Sequence, residues 1–136
     1  MTTQVEQFFY KNVTNFGFQF YLKSVNISKF RQSLSKLRMS SHRLQVEAGR
    51  WSKPNPTPHN ERKCLVCNKI EDEFHFLLEC QLYTDIRHKF ISQYYTRNPS
   101  MIKLQHLLTN ENESQIRKLA MFVDKAFCIR NNANYC

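Results

Sequence analysis

Residues 64–80 read CLVCNKIEDEFHFLLEC, and this segment organises the chain around it. It carries a Cys-x2-Cys-x7-His-x4-Cys pattern whose members are Cys64, Cys67, His75 and Cys80. Thiolates and imidazole nitrogens are the usual ligands of Zn²⁺ in proteins, and a gap of two residues lets a tight turn direct both thiolates at one ion. The pattern therefore predicts a site for one zinc ion.

The residues between the ligands predict how each ligand is presented. Asn68 and Lys69 provide a polar reversal after the first cysteine pair. The acidic run that follows suits a helix N-terminus with Asp72 as its cap, so His75 and Cys80 would come from the first turns and the end of a short helix. Because three thiolates and one imidazole fill a four-coordinate shell, the zinc is predicted to be structural.

Two other interpretations of the cysteines stay open at this point, namely free structural thiols and disulfides. Disulfides belong to oxidising compartments, whereas Met1 is followed by polar residues and no run of about 18 apolar residues occurs. We expect an intracellular protein, in the nucleus or the cytoplasm, that is neither secreted nor in a membrane. His59 and His88 lie close enough along the chain to replace a ligand, but the set of four is already complete.

The composition predicts a mainly α fold, with a small zinc-stabilised Cys-Cys-His-Cys turn or short hairpin between helices. The chain has 136 residues, eleven Phe and only two Gly, which suits a single domain over residues 1–136 with long helices. Its expected parts are an N-terminal helical part with a basic stretch (1–48), a proline-rich connector (49–62), the zinc motif with the following helix (63–97) and C-terminal helices (98–136).

Apolar spacing predicts the individual helices. Short helices are expected at about 5–13 and 101–108, and a longer helix at 27–38. After the metal motif, a repeat of four residues predicts a helix whose apolar face is Leu82, Ile86, Phe90 and Tyr94. A last amphipathic helix is expected to use Ile116, Leu119, Ala120, Val123 and Phe127.

Positive charge is concentrated just before the metal motif. Residues 23–63 contain ten basic and two acidic residues, which is +8 of the chain's +9. Such a surface suits phosphate contacts, and His42 and Trp51 are candidates for stacking on unpaired bases. A solvated helix face explains the same charge equally well. The candidate nucleic-acid contacts are Arg38, His42, Arg43, Arg50, Trp51, Arg62 and Lys63.

Three segments carry a resemblance to a known family. They are LRMSSHRLQVEAGR (37–50), ERKCLVC (61–67) and IEDEFHFLLEC (70–80), and the likeness continues through Tyr83 and Arg87 and again over 119–130. Together they resemble the zinc-binding C-terminal segment of non-LTR (LINE-type) retrotransposon reverse transcriptases, over roughly residues 22–130. The interval of seven residues before His75 is longer than the four-residue interval of retroviral zinc knuckles.

The resemblance implies a function in nucleic-acid handling. In that family the segment follows the polymerase, and its Cys/His cluster is thought to help hold template RNA or target DNA. The ligand positions match Cys64, Cys67, His75 and Cys80, and the basic positions match Arg38, His42, Arg43, Arg50 and Arg62. The endonuclease and polymerase regions are missing, and no two aspartates are adjacent. We therefore expect an excised fragment, a truncated relic or a domesticated derivative.

Catalysis is not predicted. A thiolate shared with a metal is not free to attack a substrate, and Glu73 before His75 is in the reverse order of the zinc-deaminase motif. We expect nucleic acid as partner, with a reverse transcriptase polymerase region as a further one, and neither a membrane nor a small-molecule substrate. The alternative is a structural module that packs on a polymerase or self-associates, which exposed apolar surface around Leu104, Leu107, Phe122 and Phe127 would support.

Overall fold

The fold is mainly helical, as predicted. The structure is a computed structural model that describes residues 20–131. Its helices are α1 (Phe20–Ser24), α2 (Ser28–Arg38), α3 (Gln45–Ala48), α4 (Thr84–Phe90), α5 (Gln93–Thr96), α6 (Met101–Leu108) and α7 (Glu113–Arg130), with 3-10 turns at Gly49–Trp51, His59–Glu61 and Gln81–Tyr83 and a π-helical turn at His75–Glu79. Within this range, extended pairing is confined to an antiparallel bridge between Lys63 and Ile70.

Helix α7 is the central element, because α1, α2 and α4 all pack against it. Its N-cap is Asn112, whose side chain accepts a hydrogen bond from the Gln115 N–H at 3.0 Å. Its buried face consists of Ile116, Leu119, Ala120, Phe122, Val123 and Ala126. These residues recur at intervals of three and four, which places them on one side of the helix.

Polar contacts fix the N-terminal helices to α7 at two points. The Ser33 hydroxyl donates to Asp124 at 2.9 Å, and Arg117 Nε donates to the carbonyl oxygen of Ser24 at 2.7 Å. Both contacts join residues more than 90 positions apart in sequence. They therefore set the register in which α2 and the end of α1 lie along α7.

The aromatic centre of the core links α7 to the metal motif. Phe76 stacks on Phe127 with ring centroids 5.0 Å apart, and it meets Tyr83 edge-on at 5.1 Å. Phe122 lies 6.0 Å from the same ring. Such aromatic pairs each contribute about 0.5–1.5 kcal/mol beyond the area that they bury. The segment that carries His75 and Cys80 is therefore anchored in the main core.

Several helix predictions are confirmed and one is wrong by one residue. The helices predicted at 27–38 and 101–108 agree with α2 and α6, while the one predicted at 5–13 lies outside the described residues. After the metal motif, Leu82 and Tyr94 are 42% and 56% exposed, and the buried face is instead Tyr83, Arg87, Ile91 and Tyr95. The repeat of four is present, but it falls one position later, where Tyr83 makes an edge-on contact with Phe76.

The apolar surface suggested at Leu104, Leu107, Phe122 and Phe127 is not present. The first three side chains are buried, and Phe127 is partly buried against Phe76. Among the described residues, no helix has the length and apolar character needed to cross a lipid bilayer. The division of the chain into four parts stays a prediction.

Candidate metal centre

The four predicted ligands come together in space. One ligand atom from each of Cys64, Cys67, His75 and Cys80 lies within 4.8 Å of the others. The Cys80 Sγ is 3.8 Å from the Sγ atoms of both Cys64 and Cys67. A disulfide requires about 2.05 Å between sulfurs, so these thiols are free, and the group can bind a metal ion. In the described part of the chain, neither His59 nor His88 belongs to this group.

A tight hairpin presents the first two ligands. Asn68 adopts a left-handed conformation (φ 57°), and its N–H donates to the Cys64 carbonyl oxygen at 3.0 Å. The Cys64 N–H in turn donates to the carbonyl oxygen of Lys69 at 2.8 Å, next to the Lys63–Ile70 bridge. Asn tolerates this backbone region better than most residues because its short side chain bonds locally. The reversal predicted at Asn68 is confirmed.

A π-helical turn presents the other two ligands. His75 and Cys80 are five positions apart, which in an α-helix would place them about 140° apart around the axis. The Cys80 N–H instead donates to the His75 carbonyl oxygen at 2.7 Å, five residues back. This π-type hydrogen bond brings both side chains to the same side of the turn. Asp72 accepts from the His75 N–H at 2.9 Å and so caps the start, as predicted.

The His75 ring is buried without a hydrogen-bond partner among the described residues. Its residue is 3% exposed, and neither ring nitrogen has a hydrogen-bond partner among the described residues. A carboxylate oxygen of Glu79 is 3.8 Å from Nδ1, which is too distant for a hydrogen bond. Leaving a buried polar group unsatisfied costs about 1–3 kcal/mol. A metal ion bound by one ring nitrogen would remove much of that cost, which fits the donor set.

Burial shapes the proton chemistry of the ligands. It raises the pKa of the Cys80 thiol to about 12, and it lowers the pKa of His75. At neutral pH the metal-free centre therefore keeps the Cys80 proton and a neutral imidazole. The imidazole is ready to bind a cation, whereas the thiol must first release its proton.

Arg87 supports the end of the ligand turn from inside the core. The residue is 4% exposed, and its guanidinium donates to the carbonyl oxygens of Leu77 (2.8 Å), Cys80 (2.8 Å) and Phe76 (3.1 Å). Carbonyls at the end of a helical segment lack partners within it, and Arg87 supplies three donors to them. Burial lowers the pKa of Arg87. Its positive charge lies beside the thiols.

Glu71 connects the centre to the end of α7 and to α3. Its carboxylate receives two hydrogen bonds from Arg130, at 2.7 and 3.0 Å, and a third from the Gln45 N–H at 2.6 Å. Bidentate pairs of this kind hold both partners in a fixed orientation. The segment just before His75 is therefore fixed to both α3 and α7.

Three of the seven predicted nucleic-acid contacts have side chains that hydrogen-bond to other parts of the fold. Arg38 is 5% exposed and donates to the Leu108 carbonyl oxygen. The His42 side chain is 1% exposed, and its Nδ1 accepts from the Leu44 N–H, so Nε2 donates to Glu73 at 2.8 Å. Arg62 donates to the carbonyl oxygens of Thr57 and Val46 at 2.9 and 3.2 Å. These three side chains hold the fold together, and we no longer assign them to an interface.

The other four predicted contacts lie at the surface. Arg43 and Lys63 are exposed, and Trp51 is 74% exposed. The Arg50 side chain is 41% exposed and lies 3.6 Å from Glu47. The surface group is therefore Arg43, Arg50, Trp51 and Lys63. We refer to these four residues as the basic surface.

Comparison with known proteins gives no relative: no family model, no curated protein and no solved structure matches the chain. Sequence reasoning gave no supporting role to Arg87, Glu71 or Arg130. A partial signal existed for Arg87, which lies four residues from both Tyr83 and Ile91 on the buried face. The Glu71–Arg130 pair spans 59 positions and has no local signal.

Proposed function

We propose that the chain is a zinc-binding, nucleic-acid-binding accessory segment, related to the C-terminal part of non-LTR retrotransposon reverse transcriptases. The convergence of Cys64, Cys67, His75 and Cys80 is the observation that carries the proposal. Zinc–thiolate bonds of about 2.3 Å in a tetrahedron place sulfurs about 3.8 Å apart. The two sulfur–sulfur distances of 3.8 Å agree with this value.

The zinc in this proposal is structural. Three thiolates and one imidazole complete a tetrahedral shell, so no position stays open for water or a substrate. The site residues belong to a hairpin and a π-helical turn that pack on the main core through Phe76. The ion would hold these two local elements together, and catalysis is not part of the proposal.

The basic surface is the proposed nucleic-acid contact. Arg43, Arg50 and Lys63 supply positive charge for phosphates, and Trp51 supplies an exposed ring for stacking on an unpaired base. Lys63 lies next to the first ligand, and it pairs with Ile70 in the metal hairpin. Loss of zinc would therefore disturb the position of at least one cation that faces phosphate. Template RNA and target DNA are the ligands that the family resemblance suggests.

The test is a titration of the zinc-loaded protein with labelled structured RNA and duplex DNA. Fluorescence anisotropy is measured across a range of salt concentrations, with and without a chelator. We expect salt-dependent binding that chelation abolishes. Arg43→Ala with Arg50→Ala should weaken binding and reduce the slope of log K against log salt by about one for each phosphate that the variant no longer neutralises.

A matched control for these variants is Lys118→Ala, an exposed cation on α7 outside the basic surface. It should leave the salt slope almost unchanged. If the double variant has the same slope as Lys118→Ala, the basic surface does not bind the nucleic acid. If the zinc-loaded protein binds neither RNA nor DNA, the nucleic-acid function is wrong.

One observation favours a second candidate, a protein-docking function. Leu65 and Val66, between the first two ligands, are 98% and 55% exposed. Exposed apolar side chains at the tip of a hairpin suit contact with a polymerase region or with a second copy of the chain. Under this function, Leu65→Ser with Val66→Ser would abolish association while zinc binding is retained. Analytical ultracentrifugation measures this association, once for the chain mixed with a polymerase fragment and once for the chain alone.

A further inference from the structure

A cleft of about 170 Å³ lies between the end of α2 and the end of α7, apart from the metal centre. The residues that matter for its chemistry are Lys36, Ser41, Arg43, Phe127 and Arg130. Its volume exceeds that of five waters at about 30 Å³ each, so a small anion with part of its hydration shell fits. Three cationic side chains line it, and no carboxylate does.

The nearby carboxylates are already engaged by other groups. Asp124 accepts from Ser33, Glu73 accepts from His42, and Glu71 accepts two bonds from Arg130. Arg130 donates from Nε and one terminal nitrogen to Glu71, so its other terminal nitrogen can donate to a ligand. Among the described residues, the side chains of Lys36 and Arg43 have no hydrogen-bond or ion-pair partner.

The carbonyl oxygens at the end of α2 do not need the cations of the cleft as hydrogen-bond donors. The helix-end carbonyls of Ser35, Lys36 and Leu37 already accept hydrogen bonds from backbone N–H groups at 2.9, 2.8 and 3.4 Å. The last of these donors is Ser40, which takes the left-handed conformation (φ 55°) common in helix caps. The charge in the cleft is therefore available to a ligand.

We propose that this cleft binds a phosphate group, with Lys36 and Arg43 as its principal charge partners. Arg43 and the free terminal nitrogen of Arg130 offer guanidinium donors, which match the oxygens of a phosphate, and Lys36 adds a mobile ammonium. The Ser41 hydroxyl supplies a neutral donor at the rim, and the Phe127 ring forms an apolar wall. The phosphate belongs either to a nucleic-acid strand or to a free phosphate compound. The strand case rests on the proposed function, and the free case does not.

The first arm of the test uses inorganic phosphate and the zinc-loaded chain of 136 residues. Proton–nitrogen correlation spectra are recorded during a phosphate titration, with ionic strength held constant by chloride. We expect saturable shifts at the backbone amides of Ser41, Arg43 and Asn131. The double variant Lys36→Gln with Arg43→Gln should abolish these shifts. Lys118→Gln should retain them, because it lies twelve residues from Arg130 on α7, about 18 Å along the helix.

Each variant should stay folded, because the substituted side chains are exposed. The dispersion of amide signals in the same spectra checks this. Shifts that do not saturate would overturn the proposal. Shifts that saturate equally in the double variant and in Lys118→Gln would also overturn it.

The second arm identifies the source of the phosphate with a single-stranded RNA oligonucleotide. If the source is a strand, the double variant should bind the oligonucleotide about tenfold more weakly than Lys118→Gln, since two cations that neutralise phosphate are absent. Equal affinities, with the phosphate shifts still abolished, assign the cleft to a free phosphate compound. Saturable phosphate shifts in a wild-type chain that binds no RNA or DNA support the cleft and refute the proposed nucleic-acid function.

Discussion

Arg87 is a buried cation whose three hydrogen bonds hold the carbonyl end of the ligand turn. Arg87→Lys keeps the charge but cannot replace the three hydrogen bonds, because the N–H donors of an ammonium all lie on one nitrogen, whereas Arg87 uses three separate nitrogens. We expect a loss of about 2–4 kcal/mol in the free energy of unfolding, measured by denaturant titration of the zinc-loaded protein. Arg97→Lys, at an exposed position, should change it by less than about 0.5 kcal/mol. Equal effects of the two changes would contradict the assigned role.

Gly49 lies against the side chain of Arg62. A Cβ at this position would be 2.7 Å from Arg62 Cγ, and Arg62 cannot move easily because it donates to the carbonyl oxygens of Thr57 and Val46. Gly49→Ala should therefore destabilise the chain by about 1–3 kcal/mol in thermal or denaturant unfolding. In an Arg62→Ala background the same change should cost much less, because the clashing atoms are gone. An identical cost in both backgrounds would refute the steric explanation.

The four members of the Cys/His cluster could be predicted from sequence, but the roles of several nearby residues could not. Cys64, Cys67, His75 and Cys80 lie in one short segment whose spacing encodes the site. Arg38, His42 and Arg62 looked like surface cations, yet each has its partner elsewhere in the chain, at Leu108, Glu73 and Val46. The sequence gives the charge of each side chain directly. It does not show whether that side chain is buried, because burial depends on contacts such as that of Arg38 with Leu108, 70 positions away.

The Glu71–Arg130 pair joins the end of α7 to the segment just before His75, and its side chains are 8% and 18% exposed. We expect a double-mutant cycle with Glu71→Gln and Arg130→Gln to give a coupling of about 1–3 kcal/mol in unfolding free energy. The matched control is the exposed pair of Glu113 and Arg117 on the same helix, 3.4 Å apart, which should couple by less than about 0.5 kcal/mol. Similar couplings in the two cycles would mean that Glu71 does not anchor the helix.

Helices with a regular apolar period were predictable, and the irregular one was not. The periods over α2, α6 and α7 identify each helix, because the buried face repeats without interruption. The segment after Cys80 instead combines a 3-10 turn, α4, a break and α5. Each change of helix type rotates the following side chains, so a four-residue repeat placed on Leu82 is found on Tyr83. The π-helical turn before it is equally hidden, since no residue type specifies it.

In the proposed zinc-bound protein, metal binding is coupled to proton release. Burial raises the pKa of Cys80 to about 12, so this thiol is protonated in the metal-free protein at neutral pH and must lose its proton to bind zinc. Lowering the pH therefore favours the metal-free form. We expect the zinc affinity to fall at least about tenfold for each unit by which the pH is lowered, measured by chelator competition between about pH 8 and pH 6. An affinity that does not change with pH would exclude thiolate ligation by Cys80.

Stability should follow the same dependence on pH. Structural zinc in small modules contributes on the order of 10 kcal/mol near neutral pH, so acid release of the proposed ion should lower the free energy of unfolding. His75→Ala removes a ligand and should have the same effect at neutral pH. Hydrogen exchange over residues 58–90 measures it, and native protection of that region in the variant would contradict the proposed role of the ion.

Trp51 gives the chain a built-in optical signal. It is the single tryptophan, and at 74% exposure its indole ring already lies in water in the native state. Its emission should therefore resemble that of the free amino acid and change little on unfolding. A base stacked on the ring would quench that emission. The unlabelled protein can thus report contact with a nucleic acid by its own fluorescence, against a background that denaturation barely affects.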